Sequence, residues 1–166
     1  MKIRVVVICF LLLCGSLLQA QSGQKPCSAE QFSQFDFWIG DWMLTWSDTL
    51  HGTNSITKEF NDCVIYEHFD GNPGAKFKGM SVSTFNMNTK MWHQTWVDDQ
   101  GGYLDFKGGM VADSMILTRS FEKQGSTIFQ RMVWFDITGE SFSWNWERSV
   151  DNKNWKVAWA IEYKRK

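Results

Sequence analysis

Tryptophan is concentrated in residues 35–46, where three indole rings occupy the nine positions from Trp38 to Trp46. Seven more tryptophans follow, which makes ten in a chain of 166 residues. Side chains of this size need a shared interior in which to bury their rings. Short β-strands can supply that interior by closing into a barrel, and the rest of the sequence is patterned as short strands.

From position 37 onward, apolar and polar residues alternate with a period of two, and turns rich in Gly and Asn separate the runs. Pro26 and Pro73 are the only prolines, and both lie outside the runs, as continuous strand ladders require. The spacing fits a sandwich or an up-and-down barrel, and the tryptophans favour an all-β, antiparallel meander barrel of about ten strands. The predicted strands cover residues 37–47, 53–61, 63–70, 76–87, 91–99, 103–108, 114–122, 127–137, 141–149 and 155–164.

A short helix is predicted ahead of the first strand. Ser28 and Gln31 have the spacing of a capping box, in which Ser28 occupies the N-cap. The pattern predicts a helix of two turns over residues 29–35.

Residues 1–20 have the pattern of a signal peptide. Lys2 and Arg4 precede the apolar run 5–13, and Ala20 is the small residue that a signal peptidase prefers. The run is too short to span a membrane as a helix. We therefore expect a single barrel domain over residues 21–166, exported to the periplasm or the medium. An uncleaved anchor and a lipoprotein are the alternatives.

Charge and cysteine content agree with export. Residues 1–20 hold two basic and no acidic residues, so their removal changes the net charge from −1 to −3. This balance argues against nucleic acid as a partner and gives no attraction to an anionic membrane. Cys27 and Cys63 are the two cysteines that remain, and we expect a disulfide between them in an oxidising compartment. Two buried thiols are the alternative.

Strand alternation assigns faces to the aromatic residues. Trp92, Gln94, Trp96 and Asp98 share one face of their strand. On two later strands, one predicted face is strongly aromatic and the other polar. The aromatic faces comprise Phe142, Trp144 and Trp146 on one strand and Trp155, Val157, Trp159, Ile161 and Tyr163 on the next.

The turn at Gly139 predicts a strand register. A hairpin centred there places Trp134 opposite Trp144 and Met132 opposite Trp146. The same register places Arg131 opposite Glu147. If that face is outside, the two form a surface ion pair, and if it is inside, Arg131 could anchor an anionic ligand.

The string Phe-Asp-Phe-Trp-Ile-Gly-Asp-Trp at residues 35–42 contains a Gly-x-Trp on the predicted first strand. Together with several further segments, it resembles a family of bacterial secreted proteins with lipocalin-like, calycin-type β-barrels, in which Gly-x-Trp marks the first strand. The resemblance extends over nearly all of residues 27–166. It implies a barrel fold and no established activity. The other resembling segments are residues 62–68, 92–98, 101–106 and 131–134.

The sequence predicts no cofactor and no metal. Nitrobindin, a haem-binding calycin relative, carries its proximal histidine on a late strand, whereas His51, His68 and His93 all lie early in this chain. No His-x-His or Cys-x-x-Cys pair suggests a zinc site. The Gly-x-Ser-x-Gly turn of a serine hydrolase is also missing from the sequence.

Binding is the function that the sequence favours, with a small hydrophobic or aromatic molecule held in an aromatic lumen. Glu67 shares a face with Ile65 and Phe69, and a carboxyl inside such a lumen could orient a ligand. The alternatives are a small cofactor-free isomerase, cyclase or hydrolase with Glu67 or Asp98 as general acid/base, and a lumen filled by tryptophans. The candidate ligand-binding residues are Glu67, Trp92, Gln94, Trp96, Asp98, Arg131, Trp134 and Trp146.

Overall fold

The computed structural model describes residues 25–166, so the signal peptide predicted over residues 1–20 lies outside the described residues. Ten antiparallel strands form one closed barrel, in which each strand pairs with its sequence neighbours and β1 pairs with β10. The predicted meander barrel is therefore confirmed. The strands are β1 (Gly40–Trp46), β2 (Leu50–Glu59), β3 (Val64–Asp70), β4 (Lys78–Asn86), β5 (Met91–Asp98), β6 (Tyr103–Val111), β7 (Ser114–Lys123), β8 (Ser126–Phe135), β9 (Ser141–Ser149) and β10 (Lys156–Arg165).

Two short 3₁₀ helices, Glu30–Ser33 and Asp36–Trp38, replace the single helix predicted over residues 29–35. The predicted capping box is also wrong, because Ala29 occupies the N-cap and no side chain caps the first helix. The apolar spacing explains the difference. Phe32, Phe35 and Trp38 recur every three residues and are all buried, which matches the three-residue period of 3₁₀ turns.

The 3₁₀ segment closes one end of the barrel. The Phe35 ring makes edge contacts with Trp92 and Trp134, at centroid distances of 4.9 and 5.3 Å. A disulfide between Cys27 and Cys63 ties the start of this segment to the entry of β3, as predicted. This end of the barrel is therefore sealed by packed rings.

Gly40, Trp42 and Arg165 form the seam where β1 meets β10. The Arg165 guanidinium lies over the Trp42 ring at 4.3 Å and donates a hydrogen bond to the Ile39 carbonyl oxygen at 3.1 Å. Gly40 has a φ of +131°, and a Cβ there would collide with this guanidinium. The glycine of the Gly-x-Trp pair is thus required by its backbone conformation, and its lack of a side chain leaves room for the Arg165 guanidinium.

The register predicted for the hairpin at Gly139 is confirmed. Trp134 pairs with Trp144, Met132 with Trp146, and Arg131 with Glu147. Met132 and Trp134 are buried inside the barrel, so Arg131, on the opposite face of β8, points outward.

The face predicted for Trp155 and Val157 is wrong. The β9–β10 register shifts between Val157 and Trp159, which makes Ala158 an extra residue. Val157 pairs with Glu147 on the outer face and is 55 % exposed. The Trp155 ring lies 4.2 Å from the Arg131 guanidinium on the same outer face. Trp159, Ile161 and Tyr163 follow the bulge and share one face as predicted, and this face points into the barrel.

Within residues 25–166, the helices are too short and too polar for any of them to cross a membrane.

Candidate ligand-binding cavity

A cavity of about 260 Å³ lies inside the barrel, above the packed rings of the closed end. Trp38, Trp134 and Tyr163 line its inner part. The rings therefore do not fill the lumen completely, although ten tryptophans are available. Its aromatic walls include Phe69, Trp96, Phe106, Trp144, Trp146 and Trp159.

The structure brings six of the eight predicted binding residues to this cavity, and two lie elsewhere. Trp92 is buried at the closed end, where its indole Nε1 donates to the Gln34 Oε1 at 3.0 Å. Arg131 lies on the outer face, where its Nε donates to Glu147 Oε2 at 2.6 Å. The six that line the cavity are Glu67, Gln94, Trp96, Asp98, Trp134 and Trp146.

Glu67 is a buried carboxyl group held by side chains from the two neighbouring strands, β2 and β4. Its Oε1 accepts a hydrogen bond from Asn54 Nδ2 at 2.7 Å, and its Oε2 accepts one from Ser81 Oγ at 2.5 Å. The Asn54 Nδ2 also lies 3.3 Å from the Tyr163 hydroxyl. Burial raises the pKa of Glu67 to about 7, against the opposing effect of the bonds from Ser81 and Asn54. Burial, together with the charge of Glu67, raises the pKa of Tyr163.

Asp98 is a structural carboxylate at the outer part of the cavity. Burial alone would raise the pKa of Asp98, but hydrogen bonds from the Gly102 and Gln100 N–H groups and the Trp96 indole lower it. The Gly102 nitrogen lies 2.7 Å from Oδ1, and the Trp96 Nε1 lies 3.0 Å from Oδ2. Asp98 therefore stays ionised, ties down the β5–β6 turn and fixes the Trp96 ring.

Buried polar groups of the cavity wall differ in how well they are satisfied. The Gln94 Nε2 donates to Ser83 Oγ at 3.0 Å. Among the described residues, the indole Nε1 atoms of Trp38, Trp134 and Trp146 are buried without a hydrogen-bond partner. Neighbouring ring faces can accept such N–H groups weakly, and Trp38–Trp134 is an edge-on pair with centroids 5.4 Å apart.

Arg148 is a cavity residue that the sequence analysis missed. It lines the cavity from β9, on the same face as Phe142, Trp144 and Trp146. Extending the predicted aromatic alternation by one more step along the strand would have identified it.

Within residues 25–166, no three His, Cys, Asp or Glu side chains are grouped so that they could hold a metal ion.

The closed ten-stranded meander with its internal aromatic cavity places the chain among all-β barrels of calycin-like architecture. No protein-family model matches the sequence, and no curated protein matches it.

Proposed function

We propose that this chain is an exported, lipocalin-like barrel that binds a small, partly apolar molecule in its aromatic lumen. We further propose that it belongs to the bacterial secreted family that its Phe-Asp-Phe-Trp-Ile-Gly-Asp-Trp segment resembles. The observation that carries the binding proposal is the cavity of about 260 Å³, which persists between the packed rings.

Cavity size limits the ligand. A cavity of about 150 Å³ lined by apolar side chains holds benzene. By that scale, the present cavity suits a ligand of about ten non-hydrogen atoms, such as a one- or two-ring compound. A long acyl chain exceeds this space.

The polar groups of the wall are few, as in most small-molecule sites. Glu67 and Gln94 are fixed by their own hydrogen bonds, so they offer a ligand polar contacts at defined positions. Flat aromatic walls on the remaining sides favour a ring over a flexible chain.

Calorimetric titration with indole, naphthalene and palmitate tests this proposal. We expect the two ring compounds to bind and palmitate not to bind. Leu104→Trp, which adds bulk to the cavity wall, should abolish ring binding. Val97→Trp is the matched control, since Val97 is adjacent to the Trp96–Leu104 pair on the outer face and is 38 % exposed. Heat changes indistinguishable from dilution with both ring compounds would contradict the proposal.

Export is supported by the Cys27–Cys63 disulfide, which is typical of oxidising compartments. Expression of the full chain in a bacterium, followed by intact-mass measurement of the periplasmic fraction, tests it. The expected mass is that of residues 21–166, less the two hydrogens lost when the disulfide forms. A full-length chain that remains with the cells would contradict export.

A cofactor-free enzyme is the second candidate, and the Glu67 carboxyl favours it. A carboxyl with a pKa of about 7 inside a cavity can donate or accept a proton at neutral pH. Asp98 is less suited to this role, because its lowered pKa keeps it ionised. Turnover of an aryl ester or enol that rises or falls around pH 7 and is lost in Glu67→Gln would support catalysis. Equal turnover in that variant would exclude Glu67 as the catalytic group.

A further inference from the structure

Three basic residues lie in one row across the inner face of the barrel, at the end opposite the 3₁₀ helices. Arg119 on β7 pairs with Gln130 on β8, Gln130 pairs with Arg148 on β9, and Arg148 pairs with Lys156 on β10. Directly opposite residues of antiparallel strands point to the same face. The row Arg119–Gln130–Arg148–Lys156 is called the basic row below.

The row has no acidic partner. Within residues 25–166, none of its three cations forms an ion pair. The Arg119 Nη1 donates to Gln130 Oε1 at 3.3 Å, and its guanidinium lies 5.8 Å from the Phe106 ring centroid. Burial lowers the pKa of Arg119, and the charge of Asp105 offsets this only in part. A partly desolvated cation held by neutral groups gains from an anion brought beside it.

Arg148 connects two cavities. It lines the aromatic cavity described above, and it also lines a second cavity of about 540 Å³ at the rim, the rim pocket. The lining of the rim pocket includes Lys123, Arg148 and Lys156 and, among the described residues, no carboxylate. Ala158, the extra residue of the β10 bulge, lines both cavities as well. A ligand can therefore extend from the aromatic walls to the cations of the rim.

We propose that the basic row binds the anionic group of a small aromatic ligand whose ring occupies the inner cavity. This inference rests on the proposed function and narrows its ligand class to aromatic carboxylates, sulfonates or phosphates. Arginine provides a planar fork for such oxygens, and Lys156 adds a second charge beside it. Two carboxyl groups line the aromatic cavity, and both are engaged elsewhere: Asp98 by three donors, and Glu67 by Asn54 and Ser81. Neither forms an ion pair with the cations of the row.

Matched naphthalene compounds test the anion preference. 2-Naphthoate and 2-naphthamide have nearly the same shape and differ in charge, and 2-naphthylmethylammonium supplies the opposite charge. 2-Naphthalenesulfonate and 2-naphthyl phosphate distinguish among the kinds of anion. By calorimetry at low salt, we expect the best anion to bind about tenfold or more tightly than the amide, as one charge-assisted hydrogen bond provides.

Single charge removals locate the anion. Arg148→Gln should reduce the affinity for the best anion about tenfold and leave that for 2-naphthamide unchanged. Lys164→Gln is the control, since it removes one positive charge from the exposed outer face of the neighbouring strand β10. Arg148 is itself exposed, so its replacement does not threaten the fold, whereas Arg119 packs on aromatic rings.

The outcomes separate the two proposals. Equal affinity for the amide and all three anions would contradict anion binding by the basic row. An Arg148→Gln variant that binds the anions as well as the wild type would contradict it too. Both results leave the proposed binding function intact. Tighter binding of the ammonium compound overturns it in the same way. If none of the five compounds binds, both proposals fail.

Discussion

Glu67 is a carboxyl group inside a closed barrel, and its environment determines when it carries a charge. Alternation with Ile65 and Phe69 is enough to predict that it points inward. The hydrogen bonds that hold it come from Asn54 on β2 and Ser81 on β4, and Asn54 also contacts the Tyr163 hydroxyl on β10, a strand distant in sequence. Burial raises its pKa, so the folded barrel binds a proton more tightly than the unfolded chain does.

The stability of the barrel should therefore depend on the protonation of Glu67. Below pH 4.5, the ordinary pKa of the carboxyl, it is protonated in both states and imposes no penalty. Between pH 4.5 and about 7 the unfolded chain ionises first, so the free energy of unfolding should fall by roughly 3 kcal/mol. Glu67→Gln should abolish this decrease, because the amide can keep both hydrogen bonds without a charge. Urea unfolding across this pH range measures it.

Glu140→Gln, in the exposed β8–β9 turn, is the control and should keep the wild-type profile. A Glu67→Gln variant that loses stability over the same pH range as the wild type would show that another group titrates.

Arg131 and Arg148 show which properties of a single residue can be predicted from the sequence and which cannot. The sequence correctly places Arg131 opposite Glu147, but it leaves open which face is inside. The structure gives the outer face to Arg131 and the cavity wall to Arg148. The face of a strand follows from alternation, whereas the height of a residue along the barrel depends on how the strands are staggered. The same reason explains why Trp92 lies beneath Phe35 rather than in the cavity.

At the scale of elements, β10 is the strand on which periodicity alone fails. Side chains on each side of Ala158 alternate regularly between the inner and the outer face. This extra residue reverses which positions face inward. Nothing in the local sequence marks this bulge, since Ala158 is neither a glycine nor next to a proline. The bulge also places Ala158 beside Arg148, where the aromatic cavity meets the rim pocket.

Paired substitutions on either side of the bulge test its effect. Val157→Gln changes an exposed side chain and should alter the free energy of unfolding by less than about 0.5 kcal/mol. Ile161→Gln puts an amide into the buried interior and should lower the free energy of unfolding by about 3 kcal/mol or more. Denaturant unfolding of both variants gives the comparison. Without the bulge, Val157 would share the inner face with Ile161, and both substitutions would strongly lower the free energy of unfolding. A large loss of stability in Val157→Gln would therefore contradict the bulge.

The disulfide is the covalent link between the 3₁₀ segment and β3. Cys27 and Cys63 are separated by 36 positions. Replacing both with serine should lower the free energy of unfolding by about 3–4 kcal/mol, because the unfolded chain regains the entropy of that loop. This corresponds to a Tm lower by roughly 10 °C in thermal unfolding. Reduction of the wild type should reproduce the shift, and an unchanged Tm in both experiments would contradict a stabilising role.

At the scale of the whole molecule, regular turn spacing and the absence of proline from the strands are enough to predict a meander barrel. Closure follows because the outer strands β1 and β10 would otherwise expose unpaired edges. The cavity cannot be predicted in this way. Whether ten tryptophans fill a lumen depends on how their rings pack across the barrel, as in the edge contact of Trp144 with Trp159 at 5.9 Å. This packing joins rings from different strands, so it cannot be predicted from the order of residues in the sequence.

An open cavity makes the stability of the whole barrel depend on its ligand. A ligand that binds only the folded state, at a concentration of about 100 times its Kd, should raise the free energy of unfolding by about 2.7 kcal/mol. For a domain of this size, the Tm should rise by about 5–10 °C in thermal unfolding. Leu104→Trp fills part of the same cavity, so its Tm should not respond to the ligand, while that of Val97→Trp should rise as in the wild type. An equal rise in Leu104→Trp would mean that the ligand stabilises the barrel from a site outside the lumen.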